Sequence, residues 1–302
     1  MGGMRVAVIG LGSMGLGAAL SLLREGIDVR GCDLSDAQRN RFASENGQVF
    51  DNPAAAAEGA EAVLLMVVNA AQTEDALFGA GGIAKAMAPG GVIISSATMA
   101  PDDARALAAK AEGQGLLYLD APVSGGSVKA LAGEITVMAS GSQEAFAAAD
   151  PVLSAIAAKV YRLGDEAGLG SAYKIINQLL AGIHIAAACE AMTLASKLGL
   201  NLETVHEVIT ASAGNSWMFA NRVPHILAGD YTPHSATDIW VKDLGILSTI
   251  AGKEKFPLPL TSAAQQMFLA TSAAGMGRDD DASVARLIAR ITGVKLPGTE
   301  ED

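Results

Sequence analysis

Along the first half of the chain, apolar residues gather in short continuous runs, and between the runs alanine and leucine recur at helical spacing. The runs predict strands over 4–9, 27–32, 62–68, 92–96, 116–119, 134–139 and 159–163. The intervening segments predict helices over 13–25, 35–45, 72–77, 102–112 and 143–157. Strands alternating with helices in this way form βαβ units around a parallel sheet. Val63-Leu64-Leu65-Met66-Val67-Val68 is apolar at every position, as a central strand covered on both faces must be. Near residue 165 the pattern changes. Ser171 to Leu198 reads as one helix, entered after Gly168 and Gly170 and stopped by Gly199. At 1.5 Å per residue it is about 40 Å long. The remainder reads as helices broken at Ala213-Gly214-Asn215, Gly229-Asp230 and Phe256-Pro257-Leu258-Pro259. The expected fold class is therefore α/β. A doubly wound domain over 1–166 is joined by the long helix to an all-α domain over 167–302.

The first strand breaks into Gly10-Leu11-Gly12-Ser13-Met14-Gly15, and the second ends at an acid, Asp33. This is the spacing of a Rossmann dinucleotide site. The first glycine permits a tight turn, the second lets backbone approach a pyrophosphate, and the third lets the helix pack close to the strand. The N–H groups that open the helix, at Ser13 and Met14, face the anion. A carboxylate at Asp33 can bind both hydroxyls of an adenosine ribose, and it would repel the 2′-phosphate of NADP, so the expected cofactor is NAD. Val67, Val68 and Asn69, at the carboxyl end of the 62–68 strand, are expected among the cofactor contacts.

Two further loops lie where such sheets bind ligands. Ser95-Ser96-Ala97-Thr98 clusters hydroxyls. In Asp120-Ala121-Pro122-Val123-Ser124-Gly125-Gly126-Ser127, Ser124 supplies a donor, and the glycines either form an anion nest for a substrate carboxylate or a plain turn. Lys174 opens the long helix among apolar neighbours, with Asn177 and Gln178 on the same face at i+3 and i+4. Proton transfer near neutral pH requires its pKa to fall from about 10.4 to about 7, roughly 4–5 kcal/mol of differential destabilisation. A snorkelling lysine with its head in water is the alternative.

Composition narrows the classes. Half of the 302 residues are hydrophobic, largely alanine, and polar or glycine breaks interrupt every long apolar run, so no transmembrane helix is expected. A strand begins within a few residues of Met1, which leaves no room for a secretory leader. The two cysteines, Cys32 and Cys189, read as small buried hydrophobes in a reducing cytoplasmic setting. The net charge of −11 argues against a nucleic-acid surface, and an anionic substrate must be caught locally. His184 reads as structural. His206, His225 and His234 lack metal-ligand spacing, and no metal is expected. Asp279-Asp280-Asp281 reads as a helix N-cap, and Glu300-Glu301-Asp302 as a solvated tail. The long helix carries apolar residues on most of its circumference, among them Ile175, Ile176, Leu179, Leu180, Ile183, Ile185, Met192 and Leu194. That predicts a homodimer or homotetramer.

The glycine turn, Asp120–Gly126, Lys174-Ile175-Ile176-Asn177-Gln178 and Val241-Lys242-Asp243-Leu244 occur in one order along essentially the whole chain. In this the chain resembles the β-hydroxyacid dehydrogenases, the family of 3-hydroxyisobutyrate dehydrogenase. The resemblance implies that Lys174 is the catalytic acid/base, that Ser124, Gly125 and Gly126 bind the substrate carboxylate, and that Asn177 and Gln178 orient substrate. It also implies that Thr98 and Lys242 contact the cofactor. The segments 213–219, 229–233 and 256–260 resemble the sugar-acid members more narrowly, although Trp217, Met218 and Phe219 also suit a core. Relative to the 6-phosphogluconate dehydrogenases the chain is short, and Asn177 has no histidine beside it, so decarboxylation is not expected. The implied reaction is NAD-dependent oxidation of a small hydroxy acid. The alternative class is an idle dinucleotide-binding sensor.

Overall fold

The computed structural model describes residues 3–299. The strands are β1 (Arg5–Ile9), β2 (Asp28–Cys32), β3 (Gln48–Phe50), β4 (Ala62–Leu65), β5 (Val92–Ser95), β6 (Leu117–Asp120), β7 (Val123–Ser124), β8 (Ile135–Ala139) and β9 (Ala157–Arg162). Helices α1 (Ser13–Arg24), α2 (Asp36–Ser44), α3 (Pro53–Ala57), α4 (Ala70–Phe78), α5 (Pro101–Glu112), α6 (Gly126–Ala132) and α7 (Gln143–Ile156) lie between them. Then follow α8 (Leu169–Lys197), α9 (Leu202–Thr210), α10 (Trp217–Ala228), α11 (Thr237–Glu254), α12 (Pro259–Thr271) and α13 (Val284–Thr292).

Six parallel strands run in the order β3-β2-β1-β4-β5-β6, and the order reverses between β1 and β4. This is the doubly wound arrangement. Alternate residues of each central strand feed two cores, one on each face. Val6, Val8, Leu64 and Ile94 point to one core, and Ala7, Ile9, Val63, Leu65 and Ile93 to the other. That is why the runs are apolar without alternation. Each fully buried Leu or Ile contributes about 1.5–3 kcal/mol. A second sheet, β7-β8-β9, is joined to the first by a bridge between Asp120 and Ser140.

Every predicted strand and helix of the first half is present within a few residues, with one shortening. The 62–68 run pairs only as far as Leu65, because Met66 bonds back to Ile9 at the reversal and the chain turns into a loop. Elements absent from the prediction are short. β3 is an edge strand of three residues, β7 has two, and α3 and α6 have five and seven. None is long enough to show a period.

Two compact units divide between Ile175 and Ile176, inside α8. The expected division at 166/167 lies before that helix. The first turn of α8 belongs with the first unit because its N–H groups bond to side chains of the sheet. α8 has 29 residues, about 43 Å, and starts two residues earlier than predicted. It is long and apolar enough to cross a bilayer, with mean hydropathy 1.5, a property that core helices share, and 44% of that window is buried.

The second unit is helical from Ile176 onward. Its centre is charged. Asp281, whose side chain is wholly buried, accepts from Arg222 Nε (2.6 Å) and Nη2 (3.2 Å) and from Trp240 Nε1 (2.7 Å). The neighbouring Asp280 accepts from the Ala282 and His234 N–H groups and lies 3.0 Å from His225 Nδ1. Asp279 pairs with Arg286. The N-cap reading of this triplet holds for Asp280, which caps a short 3-10 helix over Asp281–Ser283. It missed that Asp281 is an internal ion-pair partner.

Candidate active site

The three glycines of the first turn do different work. Gly10 has φ +92°, and a Cβ there would lie 2.6 Å from the Met66 carbonyl oxygen. A Cβ on Gly15 would lie 1.8 Å from the Gly10 oxygen. Both positions are closed by the protein's own backbone. Gly12 is the exception: a Cβ there meets nothing within 4 Å, and φ −63° is open to any residue. Packing does not require glycine at 12, whereas a dinucleotide phosphate lying on the start of α1 does. Ser13 is exposed and Met14 half-buried in that first turn, and no side chain caps it. The chain therefore fits a bound dinucleotide.

Asp33 lies at the end of β2, partly buried. Its Oδ2 accepts from the Leu11 N–H (2.7 Å) and its Oδ1 from the Ser35 N–H (2.8 Å). The carboxylate thus ties the glycine turn to the second strand. Each oxygen retains a lone pair for a further donor. Arg30 is committed elsewhere: Nη1 donates to the Glu58 carbonyl (2.8 Å), and the guanidinium lies over Phe50. Arg39 donates to the Asp33 carbonyl and pairs with Asp36.

At the strand-order reversal, Val67 is half-buried and Val68 exposed. Asn69 caps α4 by accepting from the Gln72 N–H, and Gln72 Oε1 in turn accepts from Val68 N–H (2.9 Å). Thr98 is half-buried beyond β5, close in sequence to Ser96, whose buried hydroxyl has no hydrogen-bond partner among the described residues. Ser124 forms β7 opposite Thr136, and Gly125 and Gly126 follow with φ +136° and +76°. Gly125 is the N-cap of α6. Lys174, in the second turn of α8, is buried, with 8% of its surface exposed. The first unit thus carries the glycine turn, Asp33, the 67–69 and 95–98 loops, Ser124–Gly126 and Lys174.

The second unit opens with Asn177 and Gln178. Asn177 Nδ2 donates to Gln178 Oε1 (2.9 Å), and Gln178 Nε2 donates to Asp243. Because a carboxylate only accepts, Asp243 fixes which way the Gln178 amide faces, and that in turn fixes Asn177. Asn177 is therefore left with its carbonyl oxygen for a further donor, while Gln178, 6% exposed, stands behind it. Lys242 Nζ lies 2.7 Å from Asp243 Oδ1 in an ion pair. The motif that carries Lys242 also carries Asp243, to which the sequence assigned no role; an acid beside a motif lysine was the available signal. The same holds for Asp120, an acid ending an apolar strand.

His184 is half-buried, not buried. His206 stacks on Phe219, and His225 packs edge-on to His234. Among the described residues no group of three His, Cys, Asp or Glu could hold a metal ion. Met218 and Phe219 are core, whereas Trp217 is 56% exposed. Both cysteines are buried free thiols; burial, reinforced by Asp33, pushes the Cys32 pKa up to about 11. The acidic tail at 300–302 lies outside the described residues.

Residues 5–164 match the family model described as the NAD binding domain of 6-phosphogluconate dehydrogenase. Residues 168–288 match the one described as NAD-binding of NADP-dependent 3-hydroxyisobutyrate dehydrogenase. The L-threonate dehydrogenase of Cupriavidus necator is 55% identical over 98% of this chain and 99% of its own. That of Escherichia coli K12 is 51% identical over 98% of this chain and 97% of its own. The crystal structure of a 3-hydroxyisobutyrate dehydrogenase from Salmonella typhimurium superposes with TM-score 0.89 at 48% identity, covering 94% of this chain and 99% of that one.

Proposed function

Because the chain belongs to the 3-hydroxyisobutyrate dehydrogenase family of β-hydroxyacid dehydrogenases, we propose that it oxidises L-threonate to 2-oxo-tetronate with NAD as acceptor. The observation that carries the chemistry is the buried Lys174 in the same compact unit as the glycine turn and the Ser124–Gly126 loop. The choice of substrate is supported by relatives named L-threonate dehydrogenase at 48–55% identity across nearly the whole chain.

Gly12, the first-turn N–H groups of α1 and Asp33 would hold NAD, which when bound supplies the two-electron acceptor. Ser124 and the Gly125–Gly126 backbone hold the substrate carboxylate. Asn177, oriented by Gln178 and Asp243, accepts from a substrate hydroxyl. Lys174, in its neutral form, takes the proton from the C2 hydroxyl as the C2–H and O–H bonds break and the carbonyl forms. Positioned proton transfer of this kind is worth about 10²–10⁴-fold. Holding the carboxylate selects which carbon reacts. We place the enzyme in the cytoplasm as a homodimer or homotetramer that buries the exposed apolar residues of α8, Tyr173, Ile176, Leu180 and Leu194.

Initial rates with NAD on threonate, erythronate, glycerate, 3-hydroxyisobutyrate and 3-hydroxypropionate test the reading. Threonate is expected to give the highest kcat/KM, and Lys174→Ala to lose turnover while still binding NADH by fluorescence. Preferred turnover of 3-hydroxyisobutyrate, or of glycerate as in tartronate semialdehyde reductases, refutes the substrate. NADH binding with no turnover of any hydroxy acid makes the protein a sensor.

A further inference from the structure

Asp120, at the carboxyl end of β6, is 1% exposed and has no part in the mechanism above. Its Oδ2 accepts from the Gly168 N–H (2.9 Å) and the Ser171 N–H (2.8 Å), and its Oδ1 accepts from Ser171 Oγ (2.7 Å). Ser140, the bridge partner of Asp120, accepts at its Oγ from the Gly170 N–H (2.9 Å). Burial pushes the Asp120 pKa up, and the bonds from Ser171 and Gly168 pull the other way. Toward these N–H and O–H donors the carboxylate acts as an acceptor.

These partners are the N–H groups that open α8, which a helix cannot satisfy internally. Other helices here are closed locally: Ser142 caps α7, Asn201 caps α9 and Ser216 caps α10, each from the residue just before its helix. A local cap closes a helix but does not locate it. The α8 cap comes from 51 residues away, on the sheet, so it fixes where the helix starts. Gly170 tightens the seat further, since a Cβ there would lie 2.4 Å from the Met138 oxygen and 2.6 Å from the Asp120 oxygen. Lys174 follows Ser171 by three residues, about 4.5 Å along the axis.

We propose that Asp120 is a positioning residue, anchoring the first turn of α8 to the end of β6 and thereby setting the place of Lys174. This rests on the reading of Lys174 as the acid/base. Charge-assisted bonds to backbone N–H groups are short and directional, and a displacement of about 1 Å in a reacting group costs about a hundredfold in rate.

The test compares wild type, Asp120→Ala, Asp120→Asn and, as a control, Ser142→Ala, which removes the local cap of α7. Asp120→Ala is expected to lose about a hundredfold in kcat. Its KM values for NAD and hydroxy acid, and its NADH affinity by fluorescence, stay within about threefold. Asp120→Asn keeps an oxygen for the two N–H groups, and its NH₂ meets hydroxyls that can turn to accept, so kcat recovers to within about tenfold of wild type. Ser142→Ala lowers Tm and keeps its kcat. Should Asp120→Ala fail to fold, Ser171→Ala removes one donor and is expected to lower kcat by about fivefold at unchanged KM. A folded Asp120→Ala with wild-type kcat, a loss confined to KM, an equal kcat loss in Ser142→Ala, or wild-type kcat in both Ser171→Ala and Asp120→Asn overturns the proposal. Wild-type turnover in Lys174→Ala instead refutes the reading on which it rests.

Discussion

Cofactor choice should turn on Asp33. Its two oxygens already accept from Leu11 and Ser35 N–H groups, leaving one lone pair on each for the adenosine ribose hydroxyls. A hydrogen bond to a charged acceptor is worth about 1.5–3 kcal/mol, so two contribute about 3–4 kcal/mol after partial compensation by water. Removing them by Asp33→Ala should lower kcat/KM for NAD by about 100- to 1,000-fold, and the lost tie to the glycine turn adds to this. NADP brings a phosphate to the same place. A unit charge about 5 Å from the carboxylate, at an effective dielectric constant of about 20, costs about 3 kcal/mol. Arg39, beside the Asp33 carbonyl, offsets part of that, while Arg30 is held by Glu58 and Phe50 and offers nothing. Wild type should therefore prefer NAD by at least about a hundredfold in kcat/KM. In Asp33→Ala the repulsion vanishes with Arg39 still in place, and the preference should fall to within about tenfold of unity. Both cofactors are assayed at one ionic strength, because screening changes the phosphate term. Equal use of NADP by wild type, or an unchanged NAD constant in Asp33→Ala, refutes the reasoning.

Breaking the buried Arg222–Asp281 pair by Asp281→Ala should cost about 3–5 kcal/mol, since it strands a guanidinium 9% exposed and the Trp240 N–H. Calorimetry should show Tm lower by roughly 10 °C, and a change under about 2 °C would refute the accounting. Burial opposes the charge on Asp280, but the bond from His225, the His234 and Ala282 N–H groups and the His225 charge together hold its pKa below the usual value. Its stabilisation is thus complete above about pH 4 and lost as pH falls through the lower folded value, so Asp280→Asn should flatten the acid limb of Tm against pH. An unaltered limb would exclude that source. Sedimentation at micromolar concentration should show a dimer or tetramer, and a monomer would mean that the exposed α8 residues serve another purpose.

Much of the fold was legible because its determinants are local and periodic. The apolar run at 62–68 announced a central strand, and the glycines at 168 and 199 bracketed a long helix. Legibility failed where a residue's role depends on a distant partner. Nothing near Asp281 in sequence reveals Arg222, 59 residues away, and nothing near Asp120 reveals Ser171. Of the candidate site, motif order singled out Lys174, Asn177 and Lys242 and carried Asp243 beside them, but not the bond from Gln178, 65 residues away, by which Asp243 orients the amides of Gln178 and Asn177. Trp217 went astray because an aromatic beside Met218 and Phe219 looks like core, yet it occupies the first, exposed position of α10.

Gly12 shows the difference between a good fold and a working enzyme. It occupies the N-cap of α1 with an unstrained φ, no neighbour near its missing Cβ and no side-chain cap bond. Serine there would bond a first-turn N–H and restrict the unfolded chain, together worth about 0.5–1.5 kcal/mol to the empty protein. The chain forgoes that gain. Selection for thermostability alone would be expected to discard this glycine early, and on the proposed binding mode the same step would put a hydroxyl in the path of the pyrophosphate, leaving a sturdier molecule with its cofactor shut out.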